Sequence, residues 1–277
     1  MSLLSRDRLL VSLSPAAVAW VRLHGTFRPQ VVAKGSVDAD PAFGRESWAG
    51  ALSALHAAAP AWQRERVAVT VVLSNQFARY ALLERQGRGV SRDEEAALAS
   101  FHFKRLHGER AAGWDVRVTA TGRAGAKVAS AVDRTLLDGI KAAFPRENRP
   151  RLKSIQPYLM SAFNRLRAKL DKRGGWLVLV EPGQVCIALL AGKAWSAVQS
   201  VRSQPDAAEN WLELLERERQ RAPVHPVPTT VLARTDVAPD AAGGASRDWH
   251  LVMLEAPFIV GVEPGERESY AMALHAA

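Results

Sequence analysis

Cysteine occurs once in the 277 residues, at Cys186 in the run VCIALLA, so no disulfide can close within the chain and a small buried core residue is expected there. No run of 18 or more apolar residues occurs, which argues against a membrane-spanning helix. The opening MSLLSRDRLL carries charges where a secretory signal needs its apolar segment. These absences lead to the expectation of a soluble chain made in the cytoplasm. The seven histidines include no HExxH, and His102 and His107 are five apart, which does not put them on one helix face. No G-x-S-x-G occurs, and Cys186 has no evident base beside it in sequence, so neither a catalytic metal nor an activated nucleophile is expected.

Acidic residues are also in short supply: 28 against 37 lysines and arginines, for a formal charge of +9. The excess is local, because Lys141 to Arg173 holds ten basic residues against Glu147 and Asp171 and so carries +8 of it. Such a cluster is either a solvated face or a surface drawn to acidic lipid head groups or an acidic partner. Its candidate residues are Arg149, Arg151, Lys153, Arg165, Arg167, Lys169, Lys172 and Arg173. No aromatic-studded basic strand or recognition motif accompanies them, so nucleic acid is the least favoured partner.

What the chain does have is a 48% apolar composition, enough for a substantial core. After the hairpin VSLSPAAVAWVRLHG (Val11 to Gly25), a third strand is expected over Gln30–Val37, a helix over Glu46–Ala59 ended by Pro60, and a strand buried on both faces over Val67–Leu73. FARYALL, a helix from Ser91 to Leu106 with Ser91 as N-cap, and the strands WDVRVTATG and AKVASAV joined at Gly122–Gly125 read as an inserted α+β subdomain. Arg134–Phe144 is an amphipathic helix, followed by the strand RLKSI and a helix carrying Tyr158, Leu159, Ala162, Phe163, Leu166 and Leu170. Beyond Asp171–Gly175 come three strands in WLVLVEPGQVCIALLAGKAWSAVQSV, a helix over Asp206–Arg221 and the strand of HPVPTTVLA. The expected segments are 1–73, 74–132, 133–170 and 171–277. Of the eight tryptophans, Trp20, Trp176 and Trp195 fall in apolar strands and are core candidates; Trp62 and Trp114 flank strands and are candidates for exposure.

The order three strands, helix, strand thus occurs twice. A constant shift of 167 pairs Val11 with Val178, Pro15 with Pro182, Val18 with Val185, Leu23 with Leu190 and Gly25 with Gly192, which supports two related halves. Turns of this kind would bring backbone amides to a cleft where phosphates are held. Through its two hairpins, the insert after VAVTVVLSNQFARYALL, the sequence AVDRTLLDGIKAAF followed by RLKSIQPYLMSAFNRL, and the ending PFIVGVEPGERESYAMALHAA, the chain resembles the actin-like fold. That α/β fold has two ribonuclease H-like halves. Within it, the resemblance is to PilM-type proteins of type IV pilus assembly and the cytoplasmic domains of GspL-type secretion proteins. It implies a closing helix over Ser269–Ala277.

The departures from that pattern bear on function. Nucleotide-binding members carry Asp, then Gly two residues later, then a Lys in the first hairpin; here the positions hold Ser12, Ser14 and Ala19. In the second hairpin the positions of Asp and Gly hold Leu179 and Glu181, leaving Gly183 and Gln184 to make the turn. Where adenosine-binding members have a glycine-rich loop, this chain continues RTDVAPD. Phosphoryl transfer depends on positioned charge, and the carboxylate for magnesium and the cation for phosphate are both missing. The resemblance therefore implies a non-enzymatic cytoplasmic scaffold without cofactor. It would bind the cytoplasmic tail of a membrane-anchored pilus or secretion platform protein, with peripheral contact at the anionic inner membrane, and a homodimer is left open. The alternative is an ATPase with ATP and Mg held at an atypical phosphate site around Glu181.

Overall fold

The computed structural model describes residues 7–40, 42, 48–83, 90–119, 126–145, 150–170, 174–192, 194–202, 211–235 and 248–277. The chain divides into two compact units, Met1–Ala78 with Asp133–Arg165 and Ala256–Ala277, and Arg79–Val132 with Leu166–Glu255.

The first unit is built on a five-stranded sheet. β1 (Arg8–Leu13) pairs antiparallel with β2 (Ala17–His24), which pairs antiparallel with β3 (Gln30–Asp38). On its other side β1 pairs parallel with β4 (Ala68–Leu73), and β4 with β8 (Arg151–Pro157), giving the order β3-β2-β1-β4-β8. A strand paired on both edges and covered on both faces must be apolar throughout, and Leu9, Leu10, Val11 and Leu13 are all buried. The helices of this unit are α1 (Ala49–Ala58), α3 (Arg134–Ala143), α4 (Tyr158–Leu166) and α6 (Arg267–Leu274). Asp133 starts α3 by accepting the Thr135 amide at 2.7 Å, an N-cap worth about 1 kcal/mol. Trp62, a candidate for exposure in the sequence, is 1% exposed instead. It lies edge-on to Trp20 at 5.3 Å and stacks with Phe144 at 6.3 Å, and these rings keep it from water.

The closing segment departs from expectation. The sequence segments place these last 22 residues in 171–277, whereas Ala256–Ala277 clusters with the first unit. Ile259, Val262, Tyr270, Ala273 and Leu274 share a core with Leu10, Val21 and Leu23, so the apolar face of α6 is spent on β1 and β2. Arg165 adds a hydrogen bond of 3.2 Å to the oxygen of Ala277.

The second unit repeats the plan. β9 (Gly174–Glu181), β10 (Gln184–Ala191) and β11 (Ala194–Arg202) are antiparallel, and β12 (Thr230–Arg234) and β13 (His250–Met253) add in parallel beside β9, for the order β11-β10-β9-β12-β13. α5 (Trp211–Gln220) lays Trp211, Leu212 and Leu215 on Trp176, Val178, Val185 and Ile187. The Trp176 indole also donates to the Pro228 carbonyl at 2.9 Å. β13 was not anticipated: four residues with only partial burial carry no strand periodicity strong enough to read. The unit also contains β5 (Ala78–Leu83), α2 (Arg92–His107), β6 (Trp114–Thr119) and β7 (Lys127–Asp133), the strands in the order β5-β7-β6. Its small core is Ala81, Leu83, Ala99, Phe103, Ala111, Ala129 and Ala131. Ser91 begins α2 with a full capping box, accepting the Glu94 amide while the Glu94 carboxylate accepts that of Ser91.

The internal repeat is more exact in register than in identity. Leu13 faces Val18 in the first hairpin, and the shift of 167 carries this pair onto Val180 and Val185, which face each other in the second. Each second strand has a bulge against the third at the equivalent place, between Arg22 and Leu23 and between Leu189 and Leu190. Gly25 and Gly192 then leave the strands at φ of 87° and 60°. A β-carbon at Gly174, whose φ is 96°, would stand 2.0 Å from the Leu190 carbonyl oxygen, whereas at Gly113 it would meet nothing within 4 Å. Gly174→Ala is therefore expected to lower stability by about 2 kcal/mol or more, and Gly113→Ala to change it by less than about 0.5 kcal/mol. Thermal and urea unfolding of the two variants measures the difference.

Candidate functional site

The first hairpin turns at Ser14–Ala17, and its hydroxyls are used within it. Ser12, buried, donates to the Ala19 carbonyl at 3.2 Å. Ser14 Oγ donates to the Ala17 carbonyl at 2.9 Å and accepts the Ala17 amide at 3.0 Å. The turn is thus closed by the side chain at the position where nucleotide-binding relatives would have glycine. Neither serine can supply the formal charge that a metal or a phosphate requires.

In the second hairpin Glu181 faces Gln184 across Pro182–Gly183, with Gly183 at a φ of 80°. Glu181 and Gln184 are both buried, and Gln184 Nε2 donates to Ser200 Oγ at 2.6 Å. Cys186 lies on the same face one alternation further on, opposite Ser200 on β11. Burial pushes its thiol far above the ordinary cysteine range, with the Glu181 carboxylate acting in the same direction. The group is one of hydrogen-bonding side chains around a carboxylate, with no lysine in either hairpin. After β12, the buried Arg234 donates to the Thr235 carbonyl at 3.2 Å; the remainder of RTDVAPD, from Asp236 on, lies outside the described residues. Among the described residues no three His, Cys, Asp or Glu side chains gather as a metal site. His107 packs on Trp114 at 5.0 Å, and burial, then Arg79 and His102, hold its pKa below the usual histidine value.

The basic candidates separate. Arg151 and Lys153 are exposed on β8, the outer strand of the first sheet, and Arg165 of the same unit is turned to Ala277. Burial lowers the Arg165 pKa. Arg167 and Lys169, exposed, follow α4 in the second unit. Arg149, Lys172 and Arg173 lie outside the described residues. Sequence reasoning missed a different surface: Phe27, Val32, Phe258 and Val260 are 88%, 48%, 69% and 55% exposed. Val32 lies on β3 and Val260 beside its outer edge, where Gln30 bridges Val260; Phe27 and Phe258 lie two or three residues along the chain from that bridge. Nothing local in PFIVGV marks its partner, and only the bridge to Gln30 places Val260 beside an edge.

The class defined by the doubled sheet, with the same strand order and the same hairpin register twice, is the actin-like fold. Solved structures agree. A chain of the PilM–PilN type IV pilus biogenesis complex superposes with a TM-score of 0.70 at 14% identity, covering 97% of each chain. The cytoplasmic domain of EpsL, an inner-membrane component of the type II secretion system of Vibrio cholerae, gives 0.56 at 15% identity, over 97% of this chain and 92% of that one. A Bacteroides thetaiotaomicron protein with an actin-like ATPase fold and unknown function gives 0.55 at 10% identity, over 83% and 81%. No protein-family profile and no curated protein sequence matches the chain. The expected resemblance therefore holds in the fold, and the fold is shared with components of pilus and secretion machinery. No described helix is long and apolar enough to cross a membrane.

Because the folded state keeps the Cys186 thiol neutral, its stabilising effect is complete below the ordinary thiol pKa and declines as pH rises above it, where the unfolded chain ionises. Native protein at pH 8 is expected to react with a disulfide reagent about a hundredfold more slowly than the denatured chain. Absorbance of the released thiolate follows both reactions.

Proposed function

We propose that this chain is a non-catalytic scaffold on the cytoplasmic side of an inner-membrane pilus or secretion platform, where it receives the cytoplasmic tail of a membrane-anchored partner. The observation that carries the reading is the end-to-end likeness to a chain of the PilM–PilN complex, joined to a first hairpin whose serines are turned inward on their own backbone. The partner would bring the chain to the membrane. Arg151, Lys153, Arg167 and Lys169, with Arg149, Lys172 and Arg173, would add attraction to anionic lipid of about 1 kcal/mol for each well-placed residue. No cofactor is required. Produced together with a partner bearing such a tail, the chain is expected in the membrane fraction, and without it in the supernatant. Recovery in the supernatant in both cases removes the reading.

A second reading, nucleotide binding with Glu181 as metal ligand, is favoured by one observation, the buried carboxylate beside the Pro182–Gly183 turn. The scaffold reading expects no heat on calorimetric titration with millimolar MgATP. Heat that disappears in Glu181→Ala would establish the second reading in its place.

A further inference from the structure

The outer edge of β3 stands out from the rest of the surface. β3 is the terminal strand of its sheet, and its outer side is met by Val260 alone among the described residues, through the Val31 amide at 2.9 Å. From Val32 to Asp38 the edge is open among the described residues. An uncovered strand of this length presents a row of backbone donors and acceptors to any second strand. Two of the large exposed apolar side chains of the described residues, Val32 and Val260, stand at the start of this edge, with Phe27 and Phe258 close to it along the chain, which marks it as a contact surface.

The sequence of the strand says what would pair with it. In KGSVD, Lys34 and Asp38 are placed symmetrically about Ser36, on one face of the strand with it. Two copies running antiparallel about a two-fold axis at Ser36 would set Lys34 of each opposite Asp38 of the other, and Gly35 opposite Val37. Opposite charges facing across an antiparallel pair stabilise it, and like charges do the reverse. A two-fold axis at Lys34 instead would set Lys34 opposite Lys34, which the charges oppose. In the single chain Lys34 already pairs with Glu266, but an ammonium has three donors and keeps two. Asp38 is exposed and has no ion-pair partner among the described residues. The strand is also suited in shape, since its bulge lies against Arg22 and Leu23, outside the stretch that would pair.

We infer that the β3 edge is a homodimer interface, in which two copies of this chain join their first sheets through antiparallel β3 strands centred on Ser36. The inference is independent of the partner and of the membrane. Pairing runs from Lys34 to Asp38 of each copy, clear of the bulge. The apolar side chains around Val260 flank the point where the strand of the second copy leaves.

Sedimentation velocity of the full chain over a concentration series tests this, with a short thiol cross-linker on Ser36→Cys; the native Cys186 is buried and does not compete. A reversible monomer–dimer equilibrium is expected, with Ser36→Cys cross-linking to itself across the axis. Asp38→Lys, which puts lysines opposite Lys34, is expected to weaken the dimer about tenfold while leaving the melting temperature of the monomer in place. A chain that stays monomeric at every concentration overturns the inference. So does a dimer that Asp38→Lys leaves unchanged, or one in which Ser36→Cys fails to cross-link.

Discussion

Each five-stranded sheet is organised by the hydrogen bonding of one middle strand, which is antiparallel to a hairpin partner on one side and parallel to a later strand on the other. In the first unit this strand is β1 and in the second β9. Their central side chains, Leu9 to Val11 and Trp176 to Leu179, are essentially inaccessible to water. A strand in that position tolerates no polar side chain without a partner, because each unpaired buried group costs about 1–3 kcal/mol. Polar residues are therefore pushed to the strand ends, which is where Ser12, Ser14, Glu181 and Gln184 stand. The same constraint that builds the core delivers the hairpin turns as the places where function can be gained or lost.

At those turns the two units have taken different courses. The first shortens its hydrogen-bonding reach: Ser14 binds both the amide and the carbonyl of Ala17, so the loop satisfies itself. The second buries a carboxylate and an amide, with Gln184 held by Ser200 and the Cys186 thiol kept neutral beside them. A phosphate site needs donors and cations left facing outward, and these turns direct their polar groups into the protein. This is why a fold shared with ATPase-fold proteins is compatible with a scaffold role.

Much of this was legible in the sequence, for physical reasons that can be named. The hairpins recur at a shift of 167, and the two shared glycines mark where each second strand ends at positive φ. Ser91 and Glu94 announce the start of α2 because a capping box is a local device, complete within four residues. β13 escaped because a four-residue, half-exposed strand has no periodicity of its own and exists through its pairing with β12. Trp62 escaped because the rings of Trp20 and Phe144 that cover it are 42 and 82 residues away along the chain.

By itself the sequence determined the fold class, the doubled order of elements and the absence of aspartate and lysine from the hairpins, since each is written in local spacing or in residue identity. Only the tertiary structure decided that the closing segment Ala256–Ala277 serves the first unit, that Arg165 is spent on Ala277, and that Val260 lies exposed beside β3. Those facts depend on which apolar face meets which, and an apolar residue carries no label for its partner. Burial is non-directional, so composition shows that a core will form and register decides what is left outside it.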